Sequence, residues 1–167
     1  FFDFYKQELQ ENTILILTAD HGEQLGEHGL WEHSHYLFDE TLQIPLLMIG
    51  PGVPEGVRRT DLASHVDVFD TICDLCGLDQ PSSTSGQSLF NGDERDAVFM
   101  EYGARNADDF KNNSSHGKYM NDEQLLRFSA GMKGIRTEDY LYVTTSNGTE
   151  HLYKNPEQSE IEPPPED

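Results

Sequence analysis

The chain has 167 residues, 35% of them hydrophobic, and its 31 Asp and Glu against 11 Lys and Arg leave a formal net charge of −20. That length is enough for a domain with a real core, but the low apolar fraction concentrates the core in a few segments. The charge repels phosphates with no basic patch to offset it, which excludes nucleic acid; apolar runs such as Ile44 to Ile49 fall far short of the ~20 residues that span a bilayer; and Cys73 and Cys76 are too few for a disulfide framework.

Phe1 to Gln10 places Phe1, Phe2, Tyr5 and Leu9 on one helical face, and Glu11-Asn12 ends it. Thr13 to Ala19 is short and rich in β-branched residues, which predicts a strand buried on both faces of a parallel sheet. Helix running directly into buried strand is half of a βαβ unit. Ile44 to Ile49 predicts a second buried strand, with Pro45 near its start and Gly50-Pro51-Gly52 ending it. Arg58 to Ala63 reads as loop. From Val66, the residues Phe69, Ile72, Cys73, Leu75 and Cys76 continue a helical stripe, with Gly77 placed as its C′ residue.

Pro81 to Gly92 reads as an irregular connection and Ala97 to Tyr102 as a strand. The polar run Gly103 to Glu123 is expected to be a long mobile loop. Three further strands are expected over Ala130–Arg136, Tyr140–Thr145 and Glu150–Tyr153, the last two joined by an Asn147-Gly148 hairpin signal. Glu157 to Asp167, with three consecutive prolines, is expected to be a disordered acidic tail. The expected domains are thus an α/β core over 1–95, a strand plus antiparallel subdomain over 96–155, and a tail over 156–167.

Two features concern the setting of the chain. So large an acidic excess destabilises a compact state at low ionic strength, which predicts adaptation to high salt, where screening removes the penalty. Phe1 opens without a basic n-region, so no signal peptide is visible and a cytoplasmic address is the favoured expectation; without an initiator Met the chain is expected to be a piece of something longer.

The chemistry concentrates between the first two strands. Four of the seven histidines, His21, His28, His33 and His35, lie there, interleaved with Asp20, Glu23, Glu27, Glu32, Asp39 and Glu40. In open α/β sheets ligands bind beyond the carboxyl ends of strands, where Asp20 and His21 stand. Carboxylate and imidazole side by side can ligate a divalent cation, with Gly22 letting the backbone turn beneath it. A solvated strand end would carry the same residues. HExxH and Cys/His finger spacings are absent, which argues against a structural zinc site. His33 can hydrogen-bond an anionic substrate or protonate a leaving group, since imidazole titrates near neutral pH; the alternative is a surface histidine, the reading preferred for His35. Cys73 and Cys76 share a C-x-x-C spacing but fall on an apolar stripe, which favours packing over redox chemistry. Asn113-Ser114-Ser115 and Asn147-Gly148-Thr149 fit the glycosylation acceptor pattern. His65, His116 and His151 have no ligand-spaced neighbours and read as structural or solvated. Lys118 and Arg136 are weaker candidates for an anionic substrate.

Taken together, several segments resemble the sulfatase family of the alkaline-phosphatase-like superfamily. They are Thr18-Ala19-Asp20-His21-Gly22-Glu23, Leu25-Gly26-Glu27-His28-Gly29 with Trp31-x-His33, and Tyr36 to Glu40 running into Gln43-Ile44-Pro45-Leu46, with Gln43 where Arg is usual. Val66 to Ile72 is similar to the family's VDxxPT helix, Gly86 to Leu89 to its GxSL turn, and Gly134 to Thr137, Tyr140 to Tyr142 and Glu150 to Tyr153 to its C-terminal sheet.

The resemblance implies an α/β fold: part of an alkaline-phosphatase-like mixed sheet flanked by helices, plus a small C-terminal antiparallel sheet. It implies that Asp20 and His21 complete the site of one divalent metal, Ca²⁺ or else Mg²⁺ or Mn²⁺. It places His33 against the transferred sulfate or the leaving oxygen, and His28 at either a substrate contact or a loop-bracing hydrogen bond. The family's formylglycine nucleophile, made within a C/S-x-P-x-R motif, and its paired Asp-Asp ligands are absent from these residues. The chain therefore reads as the C-terminal portion of a sulfuric-ester hydrolase, inactive alone, whose partners are a sulfate-ester small molecule or glycan and the N-terminal half of the same protein. A phosphodiesterase or phosphonate monoester hydrolase on the same scaffold, and a non-catalytic acidic module binding cations or a partner, are the alternatives.

Overall fold

The computed structural model describes residues 1–33, 36–114, 117–155 and 159–161. His35, His116, Ser115 of the first glycosylation pattern and most of the expected tail lie outside the described residues. In chain order the elements are α1 (Phe2–Phe4), which widens into a π-helical turn over Tyr5–Leu9, β1 (Leu15–Thr18), β2 (Gln24–Leu25), β3 (Trp31–Glu32), α2 (Asp39–Leu42), β4 (Leu46–Ile49), α3 (His65–Leu75) and β5 (Val98–Tyr102). There follow α4 (Ala107–Asn113), α5 (Asp122–Ser129), β6 (Met132–Arg136), β7 (Tyr140–Thr145), β8 (Glu150–Lys154) and β9 (Ser159–Ile161). The α/β class expected from the sequence holds, with the strands gathered into small antiparallel sheets. No described helix is long and apolar enough to cross a membrane. The chain divides into two compact units, one formed by residues 1–19 and 45–96 and the other by residues 20–44 and 97–167.

In the first unit β1 pairs with β4, Leu15 opposite Ile49 and Thr18 opposite Leu46. The pairing is antiparallel, which corrects the parallel expectation. A parallel partner needs a crossover and neighbours on both sides, whereas β1 finds one described partner, the next apolar run in the chain. Burial on both faces is also corrected, since Leu17, Leu46 and Leu47 keep 46%, 38% and 45% of their surface exposed. The expected apolar face of the first helix reduces to Tyr5. Its hydroxyl lies 2.8 Å from Thr13 O and 3.2 Å from Ile49 O, so one proton is shared between two carbonyls and the strand pair is clasped at its end. Gly50 next to it has φ +137°, and a Cβ there would stand 2.7 Å from Thr13 O, so only glycine fits.

Helix α3 inverts its expected face. Asp67, Asp70 and Thr71 are buried, while Val66, Phe69 and Ile72 are largely exposed. Hydrogen bonding accounts for much of the inversion. Asp67 accepts from Ser64 N at 2.8 Å and Gln87 N at 3.0 Å and pairs with the Arg95 guanidinium through Nε at 2.9 Å. Thr71 Oγ1 accepts from Leu89 N at 3.0 Å. The connection 85–91 is thereby sewn to the polar side of the helix. Of the two cysteines only Cys73 is buried; Cys76 is exposed at the helix end, so the packing reading holds for the first alone. Gly77 takes φ +64°, as a C′ residue does.

The second unit holds the main described core. Strands β5 to β9 form an antiparallel meander in sequence order, with Tyr140–Thr145 at its centre. Leu141 and Val143 on the central strand are fully buried against Met132, Tyr153, Phe110, Leu125 and Phe128. The expected mobile loop over 103–123 is corrected, because it contains α4 and the start of α5. Asn106 caps α4 by accepting from Asp108 N and Asp109 N. Asn121 and Gln124 form a reciprocal capping box on α5. Ser159–Ile161, inside the stretch expected to be disordered, adds β9 to the sheet edge.

Candidate functional site

Residues 20–44 belong to this second unit, and their own aromatic residues anchor them. Tyr36, Leu37 and Phe38 are buried in the sheet's core beside Leu30. Arg136 on β6 donates through Nη1 to Asp39 Oδ1 at 2.5 Å, tying the start of α2 to the sheet. Thr41 O receives the Gly22 N–H at 2.9 Å, and a Cβ on Gly22 would stand 2.0 Å from Glu40 O. The glycine after His21 is thus required by this close approach of two backbone segments.

A two-residue ladder then sets the geometry. Gln24 pairs with Glu32 and Leu25 with Trp31, so the next facing positions outward are Glu23 and His33. They meet, with His33 Nδ1 3.0 Å from Glu23 Oε2. The His21 and His33 rings stack at 4.1 Å with an interplanar angle of 28°. One ligand atom each from His21, Glu23 and His33 lies within 4.8 Å of the others, all three side chains exposed. Two imidazoles and a carboxylate converging in this way can hold a divalent cation.

Asp20 stands beside this cluster without converging on it. Its carboxylate accepts from His21 N at 2.9 Å and keeps 3.6 Å from His21 Nε2. The His21 N–H foremost, then the His21 and His33 rings, hold this carboxyl below the usual carboxylate range. Asp20 is therefore anionic at neutral pH. His21 in turn is oriented by a contact of 2.9 Å between Nδ1 and Gly22 O, which leaves Nε2 as the ligand-capable nitrogen.

His28 sits apart, on the turn between β2 and β3. Its φ of 54° is left-handed, and the strain is offset by packing: the ring lies flat on Phe38 at 3.7 Å and 11°. Its Nε2 is 3.5 Å from Glu40 Oε2. The ring also lines a cleft. Glu27 helps to close the same turn by accepting from Leu25 N at 2.7 Å, which holds its carboxyl below the usual range.

Of the sequence-predicted residues, the fold brings His21 and His33 together, leaves Asp20 adjacent and sends His28 to the turn. Glu23 and Glu40 are the partners that sequence reading passed over. The signal for Glu23 was its position mirroring His33 across a Gly-rich turn, readable once the register is known. Arg136 is engaged by Asp39, and Lys118 Nζ lies 4.9 Å over the Tyr119 ring. His65 Nε2 meets Ala19 O at 2.8 Å and His151 Nδ1 meets Glu160 Oε1 at 2.5 Å, both structural contacts.

Residues 2–78 match a family model described as Sulfatase. Arylsulfatase K of Mus musculus is 35% identical over 85 residues, covering 51% of this chain and 15% of the relative. Choline-sulfatase of Rhizobium meliloti (strain 1021) is 36% identical over 106 residues, covering 59% of this chain and 20% of the relative. Among solved structures, a phosphonate monoester hydrolase from Silicibacter pomeroyi shares the fold with a TM-score of 0.69 at 22% identity, over 92% of this chain and 30% of that one. A protein solved with its substrate D-glucosamine-2-N,6-O-disulfate gives a TM-score of 0.69 at 24% identity, over 90% of this chain and 29% of that one. The chain thus spans a fifth or less of the length of these two curated relatives.

Proposed function

We propose, from the match of residues 2–78 to the Sulfatase family model and the likeness to curated sulfatases, that this chain belongs to the sulfatase family and supplies the cation-holding and substrate-facing residues of a sulfuric-ester hydrolase. The observation carrying the reading is the convergence of His21, Glu23 and His33 beside an ionised Asp20. In this reading Asp20, His21 and Glu23 would hold one divalent cation. Such a cation would supply Lewis-acid polarisation of a sulfate oxygen.

The remaining chemistry falls to the chain itself. Glu23 accepts at His33 Nδ1 and fixes the ring; a protonated His33 then carries a second N–H, at Nε2, to donate to the departing alcohol oxygen. His28 and Glu40 hold the turn, so that His33 stays within reach. The 167 residues contain no C/S-x-P-x-R stretch, so the attacking group in this reading comes from another segment of the same protein. The exposed leucines of β1 and β4 accord with that, since a buried sheet would cover them.

A second reading is hydrolysis of phosphonate or phosphate monoesters, favoured by the fold shared with the Silicibacter pomeroyi enzyme and by a cation-and-imidazole site that suits either oxyanion. Turnover of p-nitrophenyl sulfate against p-nitrophenyl phosphate, by this chain supplied with the nucleophile-bearing segment, separates the two. Asp20→Ala and His21→Ala are each expected to lower turnover about 10–100-fold, the usual cost of disturbing a metal site. Quenching of Trp31 by Mn²⁺ gives an independent readout, because Trp31 is the single tryptophan and sits two positions from His33. Undiminished turnover and quenching in both variants would overturn the assignment of Asp20 and His21, and no turnover of either ester by the reconstituted protein would leave a non-catalytic module.

A further inference from the structure

Two Asn-Gly pairs stand in this chain, Asn91-Gly92 and Asn147-Gly148, and both asparagines are exposed. With no side chain on the residue that follows, the glycine nitrogen can approach the asparagine amide carbon in either pair, so the dipeptides alone do not distinguish them. The fold does. We propose that Asn147 is a site of self-modification, converting through a cyclic imide to aspartate and isoaspartate in the folded protein, while Asn91 is protected.

The reaction needs only water besides the chain. Gly148 N gives its proton to a solvent base and bonds to Asn147 Cγ, and the electron pair of the Cγ–Oδ1 double bond moves onto Oδ1. That pair returns as the Cγ–Nδ2 bond breaks, and the nitrogen takes a proton from water and leaves as ammonia. Water then opens the five-membered ring at either carbonyl, with no change of oxidation state. The product adds a carboxylate to a chain already at −20, and as isoaspartate it lengthens the backbone joining β7 to β8.

Negative charge on Oδ1 is what the barrier must accommodate, and here the pairs differ. Asn147 Oδ1 accepts from Thr149 Oγ1 at 3.0 Å and from Thr149 N at 3.3 Å, with Thr145 Oγ1 against it as well. The Thr149 N–H is shared with Thr145 Oγ1 at 3.0 Å, and Thr145 Oγ1 also meets Thr149 O at 3.0 Å. Thr149 Oγ1 is therefore the donor committed to Oδ1. Donors already aimed at the atom where charge develops lower the barrier to forming it. Gly148 N is tied to Thr145 O at 2.9 Å, so attack draws on openings of the tip, whose residues 146–150 are all exposed.

Asn91 is arranged the opposite way. Its Nδ2 donates to both oxygens of Asp74 at 2.7 Å, which holds back the nitrogen that must leave. The same carboxylate, itself fixed by Ser88 Oγ at 2.5 Å, repels the negative charge that attack would place on the amide. The Asn91 Oδ1 has no donor among the described residues to offset this. Space is closed too: a Cβ on Gly92 would stand 2.6 Å from Ser88 O, whereas one on Gly148 would meet nothing within 4 Å.

The test incubates the full chain in mildly alkaline buffer, folded and in urea, and reads each asparagine-bearing peptide by mass spectrometry for the amide-to-acid mass gain. In the folded protein Asn147 is expected to convert about 10-fold or more faster than Asn91, and in urea the two are expected to convert at comparable rates. Thr149→Val, which keeps the β-branched shape at an exposed position, is expected to slow Asn147 about 3–10-fold. Circular dichroism reports whether the variant folds, and the comparison of the two pairs in the unaltered chain stands without it. Equal rates at the two sites in the folded protein, no conversion at Asn147, or an unchanged rate in folded Thr149→Val would each overturn the proposal. A difference that persists in urea would also overturn it, by placing the cause in the neighbouring sequence rather than in the fold.

Discussion

Replacing Asp67 tests whether the inverted face of α3 is a true interior. The carboxylate is fully buried, accepts two backbone N–H groups and pairs with Arg95, whose side chain is 17% exposed. Asp67→Ala strands a buried guanidinium and two donors, which costs about 3–5 kcal/mol, a large part of a typical stability of about 5–15 kcal/mol. Asp67→Asn keeps one acceptor and recovers about 1 kcal/mol of that loss. Arg95→Met with Asp67→Ala closes a double-mutant cycle, expected to show coupling of about 1–3 kcal/mol. Urea unfolding followed by far-ultraviolet circular dichroism measures the four proteins of the cycle and Asp67→Asn. The pH dependence adds a second check. Burial alone would raise the Asp67 pKa, but Arg95 and the Ser64 and Gln87 N–H groups outweigh it and hold the carboxyl below its ordinary range. A depressed folded pKa gives stability that is complete above an unfolded value of about 3.9 and is lost as pH falls through the folded pKa. Asp67→Asn should therefore flatten the acid limb of the stability curve. A loss below about 1 kcal/mol for Asp67→Ala, or an unchanged acid limb, would refute the argument.

Two further outcomes follow from features already described. The net charge of −20 leads us to expect a melting temperature that climbs from low salt to molar KCl; a flat or falling profile would remove the high-salt reading. Leu141→Ala, at 0% exposure in the central strand, should cost about 2–5 kcal/mol, whereas Phe99→Ala, 78% exposed on β5, should stay within about 0.5 kcal/mol in the same urea titration, and comparable losses would contradict the burial pattern.

The strands were the legible part of this fold. Met132–Arg136, Tyr140–Thr145 and Glu150–Lys154 announce themselves by β-branched and aromatic residues, and Asn147-Gly148 marks a turn in which Gly148 takes φ +84°. α4 and α5 went unread because their composition is polar, although Asn121 three residues before Gln124 is a capping signature and Leu125 and Phe128 share a face. The inversion of α3 had no local signal: Asp67 is buried because Arg95, 28 positions on, neutralises it. The site divides in the same way. The histidines were visible as residue types, but the convergence of Glu23 on His33 depends on hairpin register, which a two-residue ladder fixes only once the turn is known.

One pairing has a consequence for how the protein is made. Tyr36 and Tyr153 share a hydroxyl contact in the core of the second unit, yet stand 117 positions apart in the chain. At a synthesis rate of about 5–20 residues per second, Tyr36 leaves the peptidyl-transferase centre roughly 6–23 s before its partner is added. Through that interval the apolar run Tyr36-Leu37-Phe38 has no sheet to enter. A nascent chain stalled once this segment has cleared the ribosome but before β6 to β8 are made should therefore present it to chaperones that bind short apolar stretches.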